Sequence, residues 1–167
     1  MTPDDIRRVM LRELDSVRAE LRAYPDDASV WAHPAGLPNA GGTLALHLAG
    51  NLRAFIGAAL GGTGYMRDRD AEFARRNVPR SELIAGIDAA VRDVDAVLGA
   101  IDATRLDAPF PVPLAGVQLP TGVTLIHLAV HLGYHLGQLD YHRRVVTGDA
   151  TSVGTLSPKA LASPPPA

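Results

Sequence analysis

The chain has 167 residues, 16 of them Lys or Arg and 18 Asp or Glu, for a formal charge of −2 and 47% apolar content. That length suits one domain with a continuous core, and charge this balanced and scattered lacks the basic face that a nucleic-acid or membrane-surface partner would need. The absence of cysteine removes disulfides, thiolate ligands, iron–sulfur clusters and thiol nucleophiles, so any metal must be held by imidazole, carboxylate or backbone oxygen, and the six histidines become the main lead.

The N-terminus, MTPDDIRRVM, is polar, with no signal-peptide stretch. No uninterrupted apolar run approaches the roughly 20 residues that cross a bilayer, so the expected location is cytoplasmic. A first helix is predicted over 3–24, with Thr2 as N-cap, Pro3 in the first turn, and Asp4 and Asp5 complementing the dipole. Ile6, Val9, Met10, Leu14, Val17 and Leu21 form its apolar stripe, and Pro25 stops it. Residues 25 to 40 read as a Pro- and Gly-rich loop holding Trp31 and His33, the latter expected to be structural. A second helix fits 42–60 and ends at Gly61-Gly62-Thr63-Gly64. The charged loop after it, with Arg67, Asp68, Arg69, Asp70 and Glu72, reads as a solvated or salt-bridged surface.

A third helix starts around Pro79-Arg80-Ser81-Glu82, with Ser81 or a neighbour as cap, and runs to about 101 on Leu83, Ile87, Val91, Val94 and Leu98. Residues 107 to 120 contain four prolines and read as an extended connection or short hairpin. Thr121 is expected to cap a last helix that ends before Gly148. The fold class is therefore all-α, a four-helix bundle over 1–147, followed by a mobile tail over 148–167.

The last helix carries His127, His131, His135 and His142, which with Gln138 lie within roughly 80° of one another on a helical projection. Leucines at 125, 128, 132, 136 and 139 occupy adjacent faces, so the polar stripe is more than the solvent side of a packed helix. Histidines at i and i+4 can share one ion, although such pairs also arise by chance. His47 sits within LALHLAGNL on the second helix, where a buried imidazole needs partners. Two readings of it stand: a core histidine bonded to a backbone carbonyl or to Asn51, or a third ligand from a facing helix with Asn51 supporting it or binding water.

The segment His127-Leu-Ala-Val-His131-Leu-Gly-Tyr-His135-Leu-Gly-Gln138, together with His47 and Asn51 in HLAGNLRAFI and the following RDRDAEF, resembles the DinB-like family, also described as DinB/YfiT-type metalloenzymes. The resemblance covers about residues 3 to 147. It implies an up-down-down-up four-helix bundle, a homodimer, and one divalent ion on one histidine of helix two and two of the last helix, here His47, His131 and His135. It also implies, from some relatives, thiol-dependent transfer or isomerisation using mycothiol or bacillithiol. His127 lies one turn outside the ligand pair and is expected to pack or hydrogen-bond. Gln138 is expected to pack or to support the site, and His142, beside Arg143 and Arg144, to lie on exposed surface.

Three neutral imidazoles leave a divalent ion with open positions, the pattern of catalytic sites, and imidazole suits zinc, nickel or iron. One expectation is a transferase in which the ion activates a low-molecular-weight thiol cosubstrate toward a small-molecule substrate. A hydrolase using metal-bound hydroxide is the second, weakened because no Asp or Glu shares the histidine faces and only Asp70 and Glu72, on a loop, could approach. A non-catalytic metal-binding or stress-related module is the third. Trp31, Tyr134 and the Pro-rich segment 109–120 are expected around the mouth of the site.

Overall fold

The computed structural model describes residues 1–154 and 156–161. Helix α1 (Pro3–Ala23) begins as its sequence dictates: the Thr2 hydroxyl accepts from the Asp5 backbone N–H at 3.2 Å while the Asp5 carboxylate accepts from the Thr2 N–H at 2.8 Å. Its stripe of Ile6, Met10, Leu14, Val17 and Leu21 is buried. The loop that follows contains a single helical turn, α2 (Asp27–Val30), capped by Asp26.

The second long rod is α3 (Gly41–Leu52), which continues without a break as a π-helix over Arg53–Leu60. The rod Gly41–Leu60 is long and apolar enough to cross a membrane by length and composition. Packing accounts for that apolarity, since Leu44, Ala45, Leu48, Leu52 and Ile56 all lie in the core of the bundle. The charged loop folds into α4 (Arg69–Ala74), where Asp68 accepts from the Ala71 N–H. Helix α5 (Arg80–Ala100) follows Pro79 directly, so Ser81 lies inside its first turn rather than capping it.

The Pro-rich connection is the short hairpin anticipated for it. Isolated bridges pair Pro109 with Pro120 and Leu114 with Val117, and Ala115 and Gly116 turn with φ of 49° and 81°. Among the described residues there is no longer strand. Helix α6 (Thr121–Thr147) starts at Thr121, whose hydroxyl donates to the Ala108 carbonyl at 3.0 Å instead of capping the helix. It ends on Gly148, at φ 70°.

Neighbouring residues give the order of the four long helices. Arg7 pairs with Asp95 and Arg18 with Asp88, so α1 and α5 run antiparallel. Ala49 lies beside Gly86 and Arg53 pairs with Asp93, so α3 and α5 run parallel. Ile6 and Val9 meet Ile126 and Val130 while Tyr24 bonds His142, so α1 and α6 run parallel. Gly41 packs near Leu139 and His47 faces His131, so α3 and α6 are antiparallel. The result is an all-α bundle in up-down-down-up order, with α1 diagonal to α3 and α5 diagonal to α6.

His142 corrects the sequence reading: it is buried, not exposed, with Nδ1 bonded to the Tyr24 hydroxyl at 2.7 Å and Nε2 to the Ala32 carbonyl at 2.9 Å. Arg143 beside it is fully buried against Glu20 of α1 and donates to the carbonyls of Asp149 (3.0 Å) and Thr151 (2.7 Å). Pro158–Leu161 forms one 3-10 turn against α1. The mobility expected of the tail falls in part on residue 155 and residues 162–167, which lie outside the described residues.

Candidate metal centre

The antiparallel contact of α3 with α6 sets His47 opposite His131 and His135, which occupy successive turns of α6. Their Nε2 atoms converge: His131 Nε2 lies 3.2 Å from that of His47 and 3.1 Å from that of His135. Ligands at a zinc–nitrogen distance of 2.0–2.1 Å in tetrahedral arrangement stand about 3.3 Å apart, so the three nitrogens are spaced to hold one ion. His47 is 7% exposed, while His131 and His135 are partly open, which leaves the centre an accessible side.

The outer nitrogens set the tautomers. His47 Nδ1 faces the Glu72 carboxylate at 3.0 Å, and His135 Nδ1 faces Gln138 Oε1 at 2.7 Å. Glu72 and Gln138 accept, and Arg67, 3.3 Å from His47 Nδ1, gives its closer bond to Glu72, so each Nδ1 carries the proton and each Nε2 presents a lone pair to the centre. His131 Nε2 then confronts two acceptors and can donate to only one of them. A cation satisfies all three at once, and the donor set therefore fits the divalent ion. The His131 Nδ1 is buried without a partner.

Of the two loop acids that could approach the site, Glu72 does so, and its role is one that sequence reasoning missed: it supports His47 from behind. It is 6% exposed, folded inward by α4, and clamped by Arg67 through bonds of 2.7 and 2.8 Å. Arg67 and Glu72 of the RDRDAE loop are thus a salt-bridged wall of the centre, while Asp68, Arg69 and Asp70 stay exposed as expected. One signal for it exists: Gly50, inside α3 one turn past His47, has no local reason to be glycine. A Cβ there would fall within the van der Waals radius of the Glu72 carboxylate, so glycine is what lets the acid reach His47.

The electrostatics favour neutral imidazoles, the form that binds metal. Burial, reinforced by the neighbouring His135 and His47, pushes His131 down to about 4. Burial also lowers His135, against an opposing bond from Gln138. For Glu72, burial pushes the carboxyl up, but hydrogen bonds from Arg67 and His47 outweigh it and hold it below its ordinary value.

The remaining candidates sit around this core. Asn51 is buried with its Oδ1 unpaired, and no hydrogen bond joins it to the three histidines among the described residues. His127 is exposed one turn away, its ring stacked on His131 at 6.5 Å between centroids. Tyr134 lies edge-on to His135 at 5.2 Å, and Phe73 of α4 packs on His47 at 5.0 Å. Trp31 does not reach the mouth: it is buried, with its indole N–H donating to the Val78 carbonyl. The Pro-rich connection instead sends Phe110 into the interior toward Phe55.

A family model described as the DinB superfamily matches residues 9–139, a span that includes His47, Arg67, Glu72, His131, His135 and Gln138. No curated protein and no solved structure matches the chain significantly. With the all-helical bundle and a three-histidine group able to hold a metal ion, that match over most of its length establishes that the chain belongs to the DinB superfamily.

Proposed function

We propose that this protein is a metal-dependent transferase that activates a low-molecular-weight thiol at His47, His131 and His135. A divalent ion held there would supply a Lewis acid that favours the thiolate over the thiol. The protein's own groups prepare the place: Glu72 and Gln138 fix two imidazoles from behind, and Arg67 balances the Glu72 charge. In the transfer the thiol proton passes to solvent, the sulfur forms a bond to an electrophilic carbon, and the leaving group departs with its electron pair.

The observation that carries this reading over hydrolysis is the engagement of Glu72. It is the carboxylate at the centre, and both of its oxygens are bonded, to Arg67 and to His47. A general base for water must reach the open side of the centre, and Glu72 instead stands behind the His47 ring, on Nδ1, held there by Arg67. The chain also has no cysteine to act as nucleophile, so the nucleophile must arrive from outside.

A cytoplasmic setting, where reduced low-molecular-weight thiols are kept, goes with this reading, and neither nucleic acid nor membrane is a partner in it. A homodimer belongs to it as well. Ile126 and Val130 are exposed on α6 and form, with Met1, Ile6 and Val9, a largely apolar groove where a second copy would pack.

The test uses untagged protein assayed with a panel of low-molecular-weight thiols and electrophiles, with metal content measured in parallel. The expected result is about one equivalent of metal per chain and thiol-dependent turnover, both lost in His131→Ala. Metal binding without turnover on any pair would favour a non-catalytic metal-holding module. Turnover without thiol would favour hydrolysis.

A further inference from the structure

A cavity of about 370 Å³ lies beside the histidine centre, bordered by α3, α6 and the loop that precedes α3. Its volume is within the range of small-molecule sites. Its walls are chiefly Leu37, Pro38, Leu44, Tyr134, Gly137 and Tyr141, and no Lys, Arg, Asp or Glu lines it. Asn39 and the hydroxyls of Tyr134 and Tyr141 bring polar groups to its edge, and two further polar residues there are engaged within the protein. His142 spends both ring nitrogens on Tyr24 and Ala32, and Gln138 spends its Oε1 on His135, leaving the amide NH2 as a donor.

Two residues join the cavity to the centre. Gln138 is at once part of its lining and the partner of His135, and Tyr134 touches both the cavity and the His135 ring. Gly137 adds an independent observation. Glycine in mid-helix costs about 1 kcal/mol relative to alanine, and such a position is usually explained by a neighbouring atom that a Cβ would strike. At Gly137 a Cβ would meet nothing within 4 Å, so packing within the chain does not account for it. Gly133 shares that openness outside the cavity, but Gly137 is part of the lining, so a side chain placed there enters the cavity.

We propose that this cavity binds an uncharged, ring-bearing apolar portion of the electrophilic substrate, with a polar acceptor next to its reactive carbon directed at the Gln138 amide. The inference rests on the transferase reading for the word substrate, but not for the binding itself. The absence of charged walls favours an uncharged occupant, because the apolar lining offers no partner for a charge that enters it. The exposed rings of Tyr134 and Tyr141, 64% and 70% accessible, stand ready to flank a flat group.

Binding can be read without activity. Fluorescence titration of metal-loaded protein with neutral N-phenyl-1-naphthylamine should show saturable binding, at least tenfold tighter than with the anionic 1-anilinonaphthalene-8-sulfonate. Gly137→Phe should weaken the neutral probe at least tenfold with metal content unchanged. Tyr141→Ala, an exposed position that leaves the fold undisturbed, should weaken it at least threefold. His131→Ala should lose metal yet keep the probe, so a failed transferase reading leaves the cavity result standing. Unchanged probe affinity in Gly137→Phe, or equal affinity for the sulfonate, would overturn the proposal. So would a halved particle mass in Gly137→Phe with probe binding intact, which would assign the glycine to contact between copies.

Discussion

Replacing Gly50 with alanine sets two effects against each other. In an ordinary helix interior the change stabilises by roughly 0.5–1 kcal/mol, because alanine has less backbone freedom to lose. Here the new methyl group occupies the space of the Glu72 carboxylate. The acid must retreat from His47 Nδ1 and from Arg67, giving up a charge-assisted contact of 3.0 Å and two of 2.7 and 2.8 Å. Loss of a carboxylate that orients a ligating histidine typically lowers metal affinity 10- to 100-fold, about 1.4–2.7 kcal/mol. Competition against a chelator of known affinity should therefore show Gly50→Ala weakened by that factor, much as Glu72→Ala is. Made in the Glu72→Ala background, the same substitution should cost no further metal affinity and should raise the thermal midpoint of the metal-free protein. A Gly50→Ala protein that binds metal like the parent would refute the reasoning, since Glu72 would then be reaching His47 by a route that does not need the missing side chain.

Gln138→Leu should lower metal affinity about tenfold while leaving the fold intact, because His135 loses the acceptor that fixes its tautomer; isothermal titration with zinc reads this directly. Arg143→Met should destabilise by about 3–5 kcal/mol in denaturant melts, because it strands Glu20 in the core, and Glu20→Leu combined with it should recover most of the loss. The metal-free protein should weaken in acid. His131 (about 4), His135 and His142 are all held below the ordinary histidine value. As pH falls below about 6.5 the unfolded chain takes up protons first, so stability present at neutral pH is lost toward pH 4, by on the order of 2 kcal/mol once partial solvent access is allowed for. Thermal melts from pH 7.5 to 4.5 should show that decline, and a shallower one in His131→Ala. Val130→Asp should halve the particle mass in sedimentation if a second copy packs on that face, and should leave metal content unchanged.

The long helices are legible in the sequence because they rest on periodicity, whereas the choice of His47, His131 and His135 as the converging set rests on the family resemblance as well. Helical spacing puts the α6 histidines on one stripe, and an imidazole among leucines announces a buried partner. What periodicity does not carry was harder to read. Glu72 and Arg67 sit in a charged stretch indistinguishable from a solvated loop until α4 is seen to turn them inward, and the only trace of it elsewhere is the glycine at 50. His142 was placed on the surface by its arginine neighbours. Arg143 is itself enclosed by an acid 123 residues earlier in the chain, and no local pattern reports a pairing that distant. Single-turn elements such as α2 are legible only through a cap, here the Asp26–Ser29 pair.

The grip of Arg143 on the segment after α6 has a practical side. The family match stops at residue 139 and the last helix at Thr147, yet two acceptors of this enclosed guanidinium are the carbonyls of Asp149 and Thr151. A shortened version ending at Gly148 would keep every long helix and all three histidines, and would still strip a sealed cation of two of its oxygen partners. For recombinant work the workable C-terminal limit therefore lies beyond Thr151, further along than either helix boundaries or family membership would place it.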